Sequence, residues 1–163
     1  MRRPFVLFAL AAALALALAP TASAQTIHLN WHERAPTTGI AVMTIDVHAL
    51  RTQGNLWAAT VTFRNLTQTA LRIEPHFALG VYRTKKAQQP FRLFLARAYS
   101  PKLPRAIKPK QRWSGTYGGS GRIPDGAYVR IILGDFLSSY PPPLGPRIAW
   151  VTDHAYRYSL VQT

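Results

Sequence analysis

The stretch Leu56-Trp57-Ala58-Ala59-Thr60-Val61-Thr62-Phe63-Arg64 decides the fold class. Trp57, Ala59, Val61 and Phe63 fall on one side of an extended chain, and Thr60, Thr62 and Arg64 on the other. Successive side chains of a strand point to opposite faces, so this period of two marks a half-buried β-strand with one wetted face. Upstream, Met43, Ile45 and Val47 alternate with Thr44, Asp46 and His48 in the same way. Downstream, Asn65-Leu66-Thr67-Gln68 reads as a turn, because Asn and Thr side chains bond their own local backbone.

The rest of the chain repeats the pattern in shorter pieces. Leu71, Ile73, Phe77 and Leu79 mark a strand bent or interrupted by Pro75, which has no N–H for a ladder. The almost gapless apolar run over Phe91–Tyr99 fits a strand or a short helix, and its β-rich context favours the strand. Arg112–Tyr117 predicts another strand, with Gly118-Gly119-Ser120-Gly121 and Pro124-Asp125-Gly126 bracketing a tight connection. Tyr128–Leu133 is β-rich on both faces, as in a central strand, and Gly134-Asp135-Phe136 is expected to end it. Pro141-Pro142-Pro143 is a stiff stretch, and Ile148–Thr152 with Tyr156–Val161 supplies a last strand or pair. About seven short strands with turn signals between them and almost no helical period predict an all-β antiparallel sandwich.

The N-terminus carries a different signal. Arg2 and Arg3 precede the apolar run Phe5–Ala19, and Ala22-Ser23-Ala24 follows Pro20. That is the three-part layout of a secretory signal peptide, with a cut expected before Gln25. The run is too short for a spanning helix, which needs about 20 apolar residues, and no comparable run follows. The expected organisation is a signal peptide over 1–24, a leader or edge segment over 25–39 and a β-sandwich over 40–163, exported to the periplasm or outside, with no transmembrane segment in the mature chain. The chain has no Cys, which excludes disulfides, thiol catalysis and Cys-based metal sites.

Trp57-x-x-Thr60-Val61-Thr62-Phe63-x-Asn65-x-Thr67, followed by a basic loop, Trp113-Ser114-Gly115 and Gly126-x-Tyr128-Val129-Arg130, resembles the layout of bacterial secreted immunoglobulin-like sandwich domains. The resemblance spans roughly 40–136 and lacks the Cys pair of antibody domains. It implies a binding, spacing or inhibitory module rather than an enzyme, with no cofactor.

Charge narrows the partners. Removing Arg2 and Arg3 leaves 18 Lys and Arg against 6 Asp and Glu, a net +12. No acidic residue occurs between Glu74 and Asp125, a gap that holds eleven cations. Such a run cannot neutralise itself locally and predicts strong positive potential. Arg83, Lys85, Lys86, Lys102, Arg105, Lys108 and Lys110, in two loops, are the expected contacts to an anionic envelope or extracellular polymer. Export argues against intracellular nucleic acid. Interleaved aromatics such as Tyr82, Phe91, Phe94 and Tyr99 either stack on a ligand or fill the core. A protein partner bound without salt dependence is the alternative.

Catalytic signatures are thin. Gly118-Gly119-Ser120-Gly121 lacks the strand–elbow–helix setting of a serine nucleophile, and six acids leave little room for a catalytic carboxylate pair. His28-x-x-x-His32, with Glu33 beside it, is the cluster that resembles a metal site. It makes a metal-binding accessory protein the second alternative. Asn65-Leu66-Thr67 is formally a glycosylation sequon, for which the turn role suffices.

Overall fold

Alternation along the sequence becomes strand pairing in a computed structural model, which describes residues 24–35, 41–137 and 147–160. The signal-peptide reading (all but Ala24), the Pro36–Gly39 punctuation and the Pro141–Pro143 stretch lie outside these residues. In chain order the strands are β1 (Ala24–Ala35), β2 (Met43–Gln53), β3 (Leu56–Asn65), β4 (Leu71–Ile73), β5 (Ala78–Tyr82) and β6 (Arg92–Leu95). They continue as β7 (Ala98–Ser100), β8 (Ala106–Ile107), β9 (Arg112–Ser120), β10 (Tyr128–Leu137), β11 (Arg147–Val151) and β12 (Tyr156–Arg157). No helix occurs among the described residues.

One sheet has the order β1-β2-β3-β9-β7, antiparallel throughout. The other is built around β10, which pairs β5 and β4 along one edge and β11 and β12 along the other. β6 and β8 extend it beyond β5 and β4. An immunoglobulin-like sandwich places its first, second, fifth and fourth strands side by side in one sheet and its third, sixth and seventh in the other. β2-β3-β9-β7 and β5-β10-β11 reproduce that Greek-key order, so the all-β sandwich expected from the sequence is the fold, with β1 added at one edge.

The core lies between the sheets. Trp57, Ala59, Val61 and Phe63 of β3 are at most 2% exposed. The Phe63 ring stacks on Trp113 at 5.2 Å and meets Phe136 edge-on at 5.3 Å, while Phe77 meets Tyr117 at 5.2 Å. Rings from both sheets thus interlock, each pair adding about 0.5–1.5 kcal/mol beyond its buried area.

Three local expectations change. Residues 91–99 hold not one strand but parts of two, split between the sheets. β6 pairs β5, β7 pairs β9, and the Ala96 and Arg97 amides bond Phe77 and Gly118 carbonyls on either side of the crossing. Gly118, Gly119 and Ser120 are not a connection but the end of β9. A Cβ on Gly118 would collide with the Trp57 carbonyl oxygen, and one on Gly119 with that of Leu95. Gly134-Asp135 does not end its strand. β10 continues to Leu137 with a register shift between Leu133 and Phe136, the two-against-one geometry that re-aims a side chain.

The Asn65-Leu66-Thr67 turn is the joint of one end of the sandwich. Asn65 is fully buried. Its Oδ1 accepts the Thr67 amide at 2.8 Å, and its Nδ2 donates to the Thr69 and Ile107 carbonyls at 2.8 and 3.1 Å. One amide side chain therefore fastens the β3–β4 turn to β8 and is inaccessible in the folded chain.

Candidate functional site

β3 presents Thr60, Thr62 and Arg64 away from the core, on the open face of the five-stranded sheet. Register then decides what stands beside them. Arg34 of β1 lies opposite Thr44, Thr44 opposite Arg64, and Arg64 opposite Arg112. Three guanidinium side chains thus occupy one transverse row, about 14 Å long at the backbone given strands about 4.8 Å apart. Lys110 joins the row from the β8–β9 turn. Its Nζ donates to the Leu66 carbonyl at 2.8 Å, and its own carbonyl accepts the Arg64 Nε–H at 3.3 Å. Lys110 takes a left-handed backbone, φ 63°, which brings both of its ends to the row.

The next row consists of His32, Asp46, Thr62 and Ser114, in register across the same four strands. His32 Nδ1 pairs with Asp46 Oδ1. The hydroxyls form a ladder: His48 Nε2 to Thr62 Oγ1 at 2.9 Å, Thr62 to Ser114 at 2.9 Å, and Thr60 to Thr116 at 3.1 Å. The Arg row with Lys110, together with His32, Asp46 and Thr62 of the next row, lines a shallow basin of about 1070 Å³. It holds four cations, Arg34, Arg64, Lys110 and Arg112, against one carboxylate, Asp46, which His32 already engages. Among the described residues neither Arg34 nor Arg112 has an ion pair. Arg64 directly opposite Arg112 is a like-charge cross-strand pair, an arrangement that costs a few tenths to one kcal/mol and that an anion bridging the two would relieve.

The seven loop cations named from sequence do not form one cluster. Arg83, Lys85 and Lys86 follow β5, at the sandwich end where β3 begins. Lys108 and Lys110 lie at the end where β3 finishes, beside Asn65 and Leu66. Lys102 and Arg105 sit on the chain running from β7 to β8. Of the seven, Lys110 alone lines the basin. Arg34, Arg64 and Arg112 were missed as a set, although the outward face of β3 already pointed Arg64 to solvent. Around the first loop, Arg83 lies over the Phe91 ring at 5.5 Å, and Arg130 covers Tyr82 at 5.1 Å while donating to the Lys85 carbonyl at 2.7 Å. Of the interleaved aromatics, Tyr82 is buried and Phe94 and Tyr99 pack against the core, leaving Phe91 outside. Burial pushes the Tyr82, Tyr99 and Tyr117 hydroxyls above the ordinary tyrosine range, Tyr117 furthest.

His28 and His32 are not brought together either. They share the outward face of β1, but a register shift lies between them, and His28 stands opposite Ala49 while His32 pairs with Asp46. Glu33 points the other way. Its carboxylate is 4% exposed and accepts from Trp150 Nε1, the Asp153 and His154 amides, and His154 Nδ1 at 2.6–3.2 Å. It fastens β1 to β11 and to the segment that follows it. A metal-type donor set does occur elsewhere, at Glu74, His76 and Asp135.

Comparison with protein-family models, curated proteins and solved structures finds no match.

Proposed function

We propose that this chain is an exported, non-enzymatic binding module for an anionic envelope or extracellular polymer, which it engages across the open face of the five-stranded sheet. The observation that carries the reading is the transverse row Arg34, Arg64 and Arg112, joined by Lys110 and not balanced by carboxylates. A planar guanidinium takes phosphate, sulfate or carboxylate through two parallel N–H donors, and three in a row suit repeated anions better than one small ion. The Thr62 and Ser114 hydroxyls of the adjoining row offer donors and acceptors to sugar hydroxyls or ester oxygens. Export rests on the N-terminal sequence pattern, and a partner outside the cytoplasm follows from it.

Two triple variants that remove equal charge test this site. R34Q/R64Q/R112Q should lose most of its affinity for heparin as the probe, while R83Q/K85Q/K86Q should keep it. Equal loss in both would mean that diffuse charge, not the sheet face, does the binding. Binding that survives both, and high salt as well, would favour a protein partner at the exposed apolar residues of β6 and its approach. Phe91, Leu93 and Leu95 are 40%, 51% and 48% exposed there.

A further inference from the structure

Glu74, His76 and Asp135 bring three potential ligand atoms within 4.8 Å of one another. Glu74 and His76 stand on either side of Pro75, where the chain breaks between β4 and β5. Asp135 stands at the register shift of β10 facing them. The break and the bulge are clipped together by the backbone. The Glu74 amide donates to the Asp135 carbonyl at 2.7 Å, the Asp135 amide to the Glu74 carbonyl at 2.6 Å, and the His76 amide to the Gly134 carbonyl at 2.7 Å. His76 Nδ1 lies 3.3 Å from Asp135 Oδ2. The side chains grade from 13% exposed at Asp135 through 33% at Glu74 to 64% at His76, so the group opens to solvent on the imidazole side.

We propose that this trio is a binding site for a divalent first-row transition ion, independent of the anionic-polymer reading. One imidazole nitrogen with two carboxylates suits Zn²⁺ and its neighbours, whereas Ca²⁺ and Mg²⁺ prefer all-oxygen sets. Ligands about 2.0–2.2 Å from a zinc ion lie roughly 3.4 Å from one another in a tetrahedron, so the trio, within 4.8 Å of one another, needs only a small closure. The imidazole would bind through Nδ1 with its hydrogen on the outward Nε2. Three protein ligands leave a coordination position for water or for a donor from a bound molecule. Arg72 Nη2, 3.6 Å from Glu74 Oε1, competes with the ion for that carboxylate.

Calorimetric titration of Zn²⁺ into tag-free protein, with the visible spectrum of the Co²⁺ form as a second readout, tests the site. One ion should bind per chain. Affinity should fall more than about 100-fold in His76→Ala and in Asp135→Asn, beyond the roughly 10–100-fold that loss of a supporting group costs. It should rise in Arg72→Gln, where the competing guanidinium is gone. His76 is exposed, so His76→Ala reads out binding without threatening the fold. No binding, undiminished binding in His76→Ala, or binding lost instead in His28→Ala or His32→Ala would each overturn the assignment.

Discussion

Removing the Glu33 carboxylate tests how β1 is held. In Glu33→Ala, four donors lose their acceptor: Trp150 Nε1, the Asp153 and His154 amides, and His154 Nδ1. Asp153 and His154 are exposed, so water can replace the carboxylate at three of them. The indole N–H is different, since Trp150 is only 9% exposed. A buried donor left unpaired costs about 1–3 kcal/mol, and hydrogen bonds to a charged group are worth about 1.5–3 kcal/mol each before water compensates. Relief of carboxylate desolvation offsets part of this, which leaves a net loss of about 3 kcal/mol, at the lower edge of values for breaking a buried charged contact. Urea denaturation followed by tryptophan fluorescence gives the number. Glu33→Gln should lose nearly as much, because its amide would turn donors toward donors. Losses under about 1 kcal/mol in both variants would refute the reasoning, showing that desolvation cancels the hydrogen bonds.

Asn65→Ala should cost about 2–4 kcal/mol in the same assay, because the Thr69 and Ile107 carbonyls and the Thr67 amide lose one shared partner. Gly118→Val should cost about 1–3 kcal/mol, since its side chain meets the Trp57 carbonyl and Ala58; chemical denaturation checks it. Burial raises the Tyr117 hydroxyl well above its ordinary value of 10.0. The folded chain therefore holds that proton more tightly than the unfolded chain does. The contribution is complete below about pH 10 and is lost as pH climbs from there toward the folded value. Stability measured from pH 8 to 11.5 should be flat and then fall, and Tyr117→Phe should soften the fall.

What the sequence discloses here is local. The alternation in β2 and β3 reflects which side chains water would strand, so it reads directly as strand and face. Pro75 announces the β4–β5 break because it lacks an N–H. The glycines of 118–119 mislead, since they serve close backbone approach to Trp57 and Leu95, partners more than twenty residues away, and not a turn. Charge misleads in the same way. Proximity along the chain groups Arg83–Lys86 with Lys102–Lys110, but antiparallel strands carry the two loops to opposite ends. The row that does form joins Arg34, Arg64 and Arg112 through pairing registers that only the whole sheet fixes. Glu33 shows the limit at its smallest scale. It adjoins His32 in sequence, yet the strand's period of two sends one side chain to solvent and the other into the core.

The salt dependence of heparin affinity, measured by calorimetry on the wild-type chain between 50 and 300 mM salt, bears most directly on the sheet-face site. Four cations closing on a flexible polyanion should give a log–log slope of about −3, and R34Q/R64Q/R112Q should flatten it to about −1. A slope near zero, or one that the three substitutions leave unchanged, would contradict the site.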